Sequence, residues 1–135
     1  MRILNKLFLI FNHQLSKEQE KEAREALKVK EIINLPPKLQ DFWSNIPPDI
    51  ELSEEMFDDI TAFLLQNKGE EENFCLIQGD FGATVYLVSW CFKNGFVPIY
   101  STTKRAAKEV VKSDGSIEMT KVFKHERFRR YILCR

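Results

Sequence analysis

Three short stretches, Ile3 to Phe11, Asn73 to Gln78 and Phe96 to Tyr100, are apolar on consecutive rather than alternate residues. A strand of that kind is covered on both faces, as strands are in a parallel sheet flanked by helices. The segments between them fit helices. Ser16-Lys17-Glu18-Gln19 reads as a capping box, and predicts a helix to about Lys28 that buries Ala23, Ala26 and Leu27. Val29 to Leu35 predicts a strand ended by Pro36-Pro37, and Pro37 opens a short helix through Trp43. Ser53 is a second N-cap position, and Met56, Ile60, Phe63 and Leu64 form the stripe of an amphipathic helix. Ala83 to Asn94 is apolar on nearly every side, which predicts a central helix sandwiched by other elements and ended by Gly95.

Strands alternating with helices predict an α/β, doubly wound, mostly parallel sheet. Arg105 to Lys112 and Ile117 to Phe123 predict two strands around the Asp114-Gly115 turn, a C-terminal β-hairpin appended to that core. At 135 residues the chain is one domain, 1–135. With 44% hydrophobic residues and eleven Phe it is no disordered chain. No apolar run is long enough to span a bilayer. The run Leu7 to Phe11 is short for a signal peptide and no small-residue cleavage site follows, so the sequence predicts a cytoplasmic protein. The three Cys (Cys75, Cys91, Cys134) are too dispersed for a disulfide framework or zinc knuckle.

Net charge is zero, but it is polarised along the chain. Residues 1–98 carry 10 Lys and Arg against 16 Asp and Glu; residues 99–135 carry 10 against 4. Such a chain either presents one basic surface, a candidate anion or nucleic-acid site, or neutralises itself across an intramolecular or dimer contact.

In an open parallel sheet, ligands bind beyond the carboxyl ends of the strands. That selects Asn12 to Gln14, Gln78 to Thr84 and Ser101 to Arg105. In the second segment, Gly79 and Gly82 flank Asp80-Phe81, and Ala83-Thr84 opens a helix whose N-terminus favours anions. The plain reading is a tight strand-to-helix turn with Asp80 as cap. It is neither a dinucleotide fingerprint nor a P-loop. Ser101-Thr102-Thr103-Lys104-Arg105 offers three hydroxyls and two cations, a set that can hold phosphate oxygens. Phe123 to Tyr131 interleaves aromatics with cations, Arg127 and Arg129 among them, as suits phosphates with base stacking, or equally an amphipathic edge strand. His13 and His125 are the only histidines, so a His-rich metal site is excluded. Cys75 and Cys91 read as core residues. The absence of a G-x-S-x-G elbow speaks against a triad hydrolase.

Several blocks carry a resemblance: Lys-Leu-Phe-Leu-Ile-Phe-Asn-His, Leu-Pro-Pro-Lys-Leu-Gln-Asp-Phe-Trp-Ser-Asn-Ile-Pro-Pro, Gln-Gly-Asp-Phe-Gly-Ala-Thr, Pro-Ile-Tyr-Ser-Thr-Thr-Lys-Arg and Phe-Lys-His-Glu-Arg-Phe-Arg. Together, over residues 6 to 131, they resemble a small stand-alone CRISPR-associated family of type III systems with a CARF-like (Rossmann-like) fold. The resemblance implies a homodimer that binds a cyclic oligoadenylate second messenger, most plainly cyclic tetraadenylate. It also implies a ring nuclease that linearises the messenger and ends the antiviral signal, with no cofactor and no metal. Duplex nucleic acid and membranes are not expected partners. A ribose 2′-hydroxyl attacks phosphorus and leaves a 2′,3′-cyclic phosphate; the protein aligns it and stabilises charge.

Chemistry assigns the roles within that picture. Lys104 and Arg105 stabilise charge, with Arg127 and Arg129 next; His13 or His125 moves a proton, as imidazole titrates nearest neutral pH. The remaining binding set is Asn12, Gln78, Gly79, Asp80, Phe81, Gly82, Ala83, Thr84, Ser101, Thr102 and Thr103. A non-catalytic messenger-binding module and a partner-binding Rossmann-like domain without nucleotide are the other readings.

Overall fold

The consecutive apolar runs become the interior of one sheet. The computed structural model describes residues 4–134, so Ile3 of the first predicted strand lies outside the described residues. Five strands, β1 (Asn5–Ile10), β2 (Val29–Asn34), β3 (Asn73–Ile77), β4 (Val97–Val111) and β5 (Ile117–Arg130), lie in the order β2-β1-β3-β4-β5. The first three pairings are parallel and β4 with β5 is antiparallel. The chain is therefore α/β, with a mostly parallel sheet flanked by helices and an antiparallel C-terminal hairpin. Among the described residues no helix is long and apolar enough to cross a membrane.

Helix α1 (Lys17–Glu25) covers one face of the sheet; α2 (Pro37–Ser44), α3 (Asp58–Asn67) and α4 (Phe81–Lys93) cover the other. Side chains alternate along each strand, so β1 sends Leu7, Leu9 and Phe11 to the α1 side and Phe8 and Ile10 to the other. Trp43, Phe57 and Leu64 fill the second layer. β1 and β3 are adjacent, yet β1 leads to α1 and β3 leads to α4 on the opposite face. The reversal point of the doubly wound sheet falls between them, where their carboxyl ends part to leave a crevice.

The capping box at Ser16 forms as predicted: its hydroxyl accepts from the Gln19 N–H at 3.1 Å, and the Gln19 side-chain oxygen accepts from the Ser16 N–H at 2.8 Å. The helix stops at Glu25, short of Lys28, which has a left-handed φ of 57°, and Ala26 is exposed. A 3₁₀ turn (Glu54–Phe57) precedes α3 where one helix was expected.

Two expectations need larger correction. Helix α4 is not sandwiched: Phe81 is exposed at its start, and Val85 is exposed on a flank shared with Ile132, because only one layer of helices lies on that side. The last sheet strand and the hairpin are also not separate elements. β4 runs unbroken through Ser101–Arg105, since β5 pairs with it from Ile99↔Arg130 out to Val111↔Ile117. Its outer part, from Lys104 to Val111 with Ile117 to Lys124, is a ribbon of roughly 25 Å at the usual rise per residue, exposed along most of its length.

Candidate functional site

The carboxyl ends of β1 and β3 deliver His13 and Gln78 to the crevice. β4 passes beside them and continues, placing Ser101 and Thr103 on the α1 side of the sheet. β5 returns alongside, and its register slips once. Thr102 faces Arg127 and Thr103 faces His125, which leaves Glu126 without a partner. The extra residue is a β-bulge, and it changes which face a side chain occupies. Without it, His125 and Phe128, three apart, would point to opposite faces. With it both point toward α1, their rings 4.8 Å apart.

The result is a cleft of about 300 Å³ lined by His13, Gln19, Gln78, Ser101, Thr103 and His125, with Phe123 at its rim. A second cleft of about 570 Å³ adjoins it, lined by Asn12, His13, Asn34, Gln40 and Ser44, and His13 belongs to both. Here α2 turns its polar edge to the strand ends. The Gln40 side-chain nitrogen donates to the Phe11 carbonyl at 3.0 Å, and Ser44 donates to the Asn12 side-chain oxygen at 3.0 Å.

Within the smaller cleft the polar groups are connected. His125 Nδ1 is 2.5 Å from Ser101 Oγ, and its Nε2 is 2.6 Å from Glu22 Oε1. The His125 side chain lines the cleft but is only 6% exposed, and its Nδ1 is taken by the Ser101 hydroxyl. Glu22 also accepts the Phe128 N–H with both oxygens, at 3.0 and 2.9 Å. Gln19 Nε2 donates to Ser101 Oγ at 3.2 Å. The Ser101 N–H donates to the Gln78 side-chain oxygen at 2.8 Å, which turns the Gln78 amide nitrogen away from the strand.

Of the residues selected from sequence, the structure brings together His13, Gln78, Ser101, Thr103 and His125, with Asn12 in the adjoining cleft. The Gly79-to-Thr84 turn lines neither cleft. Asp80 caps α4, its carboxylate accepting from the Ala83 N–H at 3.0 Å. Phe81 is exposed, Ala83 is buried in the core, and the Thr84 hydroxyl is buried with no hydrogen-bond partner. Gly79 is small for packing: a β-carbon there would lie 2.7 Å from Trp43 Nε1. Gly82 sits in the first turn of α4 with an ordinary backbone, the positive φ values of glycine falling at Gly95 and Gly115.

The basic run does not converge on the cleft either, because successive strand residues face opposite ways. Thr102 bonds the Arg127 backbone, and Arg129 both bonds and stacks on Tyr100, on the face away from α1. Lys104 shares that face. Arg105 lies on the cleft side but stacks on Phe123, 5.2 Å from its ring.

Sequence reasoning missed Glu22 and Gln19 on α1, and Gln40 and Ser44 on α2. Only Gln19 carried a signal, its capping-box position. Cys75 and Cys91 pack together in the core as the sequence predicts, where burial first and the Cys91 contact second push the Cys75 thiol well above its ordinary pKa.

Comparison with known proteins places the chain in a family. The family model described as "Uncharacterized protein MJ1673 family" matches residues 5–129, and the chain belongs to that family. It is 47% identical over 126 residues to a protein of Methanocaldococcus jannaschii described as "Uncharacterized protein MJ1673", a match covering 93% of this chain and 96% of that relative. No solved structure matches the chain.

Proposed function

We propose that this chain is a CARF-like ring nuclease that binds cyclic oligoadenylate, cyclic tetraadenylate first, and linearises it to end type III CRISPR signalling. The observation that carries the reading is a pair of histidines on one cleft at the reversal point of the sheet, one of them held by a carboxylate. Cleaving a ribose phosphodiester by its own 2′-hydroxyl needs a base for that hydroxyl and an acid for the departing 5′-oxygen, and two imidazoles serve both needs.

In the proposed reaction the 2′-oxygen attacks phosphorus, the P–O5′ bond breaks, and a 2′,3′-cyclic phosphate forms. The 2′-proton goes toward His125, and exposed His13 gives a proton to the 5′-oxygen. The Gln78 amide nitrogen donates to a non-bridging oxygen. Arg105, one pleat beyond Thr103, neutralises charge by leaving its stack on Phe123. Lys104 on the other face acts on longer-range attraction alone.

The active form in this proposal is a homodimer. On the cleft side of the ribbon, Val111, Ile117, Met119 and Phe123 are exposed, uncovered by their own chain. The ribbon is rich in Lys and Arg, whereas residues 1–98 are acidic. A second copy supplies an apolar and oppositely charged surface, and an isologous arrangement uses both ribbons at once.

Incubation with labelled cyclic tetraadenylate, with and without EDTA, tests the function. Linear product ending in a 2′,3′-cyclic phosphate in both samples supports it. Retention without cutting assigns a binding module instead, and no retention sinks both nucleotide readings.

A further inference from the structure

The cleft holds a chain of three side chains, Glu22, His125 and Ser101, joined by short hydrogen bonds. A carboxylate only accepts, and Glu22 already accepts the Phe128 N–H, so His125 donates to it from Nε2. In that tautomer Nδ1 carries a lone pair. In that neutral form the Ser101 hydroxyl, 2.5 Å from Nδ1, donates to it, the Thr102 carbonyl at 3.4 Å being the more distant acceptor for the same proton. Gln19 is turned by its capping-box bond so that its nitrogen, a pure donor, meets the Ser101 oxygen. The serine oxygen thus has its proton pulled by a carboxylate-backed imidazole and its charge supported by an amide. That is the logic of an activated hydroxyl, here with the two ring nitrogens exchanged relative to the usual serine triad.

We propose that Glu22, His125 and Ser101 form a relay whose reactive end is the Ser101 oxygen. It takes the proton of an attacking alcohol in the cleft while its own proton passes to His125 Nδ1. The imidazolium so formed is stabilised by Glu22, a positioning residue that touches no ligand. Both His125 ring nitrogens are occupied, Nε2 by Glu22 and Nδ1 by Ser101, so an alcohol in the cleft reaches the base through the Ser101 hydroxyl. Identifying that alcohol as a ribose 2′-hydroxyl rests on the nucleotide reading; the relay itself does not.

The test uses diisopropyl fluorophosphate, which needs no nucleotide. The Ser101 oxygen bonds to phosphorus, the P–F bond breaks, fluoride leaves, and the serine proton goes to His125. Peptide mass spectrometry should find the adduct on Ser101 and none in Ser101→Ala. The labelling rate should fall roughly 100-fold or more in His125→Gln and at least about tenfold in Glu22→Gln. Comparison with Glu22→Asp, expected to recover part of the rate, separates orientation from folding, and melting curves establish that each variant is folded. A folded wild type that takes no label at Ser101, or equal rates in wild type and His125→Gln, overturns the relay. Labelling as expected with cyclic tetraadenylate left intact keeps the relay and sinks the ring-nuclease reading.

Discussion

Gly79→Ala isolates what the glycine turn after β3 is for. A β-carbon at Gly79 would stand 2.7 Å from Trp43 Nε1 and 2.9 Å from Cε2, inside van der Waals contact with a rigid ring. Trp43 is 1% exposed, and its N–H donates to the Gln78 carbonyl at 3.0 Å. The ring cannot move without losing that bond and disturbing the layer it anchors. Overpacking costs about 1–3 kcal/mol and the broken hydrogen bond about 1 kcal/mol, so the substitution should destabilise by roughly 2–4 kcal/mol. For a domain of this size that lowers Tm by roughly 8–15 °C.

Gly82→Ala is the control. Its β-carbon meets Leu52 Cδ1 at 2.8 Å, the free end of a flexible side chain, and alanine favours a helix over glycine by up to about 1 kcal/mol. Its Tm should stay within about 3 °C of wild type. If both variants melt like wild type and only Gly82→Ala loses ligand cleavage, the turn is a ligand cradle and the packing argument is wrong.

Other expectations are quickly checked. Asp80→Ala removes the α4 cap and should cost about 1 kcal/mol in a denaturant titration, while Asp80→Asn, which still accepts from the Ala83 N–H, should cost much less. Native protein should show one fast thiol toward Ellman's reagent, exposed Cys134, with buried Cys75 and Cys91 reacting only on unfolding; three fast thiols would contradict the core placement. Met119→Lys should shift the sedimenting species toward the mass of one chain without lowering Tm, and an unchanged dimer would move the interface off the ribbon.

What could be read from the sequence was set by local signals. The buried strands, the capping box and the Asp-Gly turn are encoded within a few residues, and they appear where their patterns put them. The extent of β4 was hidden because Ser101 to Arg105 is polar, and polarity at a strand end reads as a loop. It is a strand because β5 pairs with it, a contact about 25 residues away in sequence. The site was legible in the same proportion. Strand-end geometry selected His13, Gln78 and Ser101 without knowledge of their neighbours. Glu22, 103 residues from His125, lay on a helix face where a carboxylate is ordinary, and no spacing marks such a pair.

The bulge at Glu126 explains why that distant pair exists at all. β5 is the edge of the sheet, and an edge strand needs something to occupy the amides it does not share. Glu22 does so for Phe128, and the same carboxylate oxygen that accepts this N–H also accepts from His125. The bulge turns His125 toward α1, and the edge amide fixes the carboxylate that meets it. One side chain therefore closes the sheet edge and orients the imidazole. Glu22→Ala should lose both functions together, whereas Glu22→Gln keeps one acceptor oxygen for the edge amide and gives up the charge and the second acceptor. That split, stability nearly kept while reactivity falls, is what separates a carboxylate serving chemistry from one serving the fold.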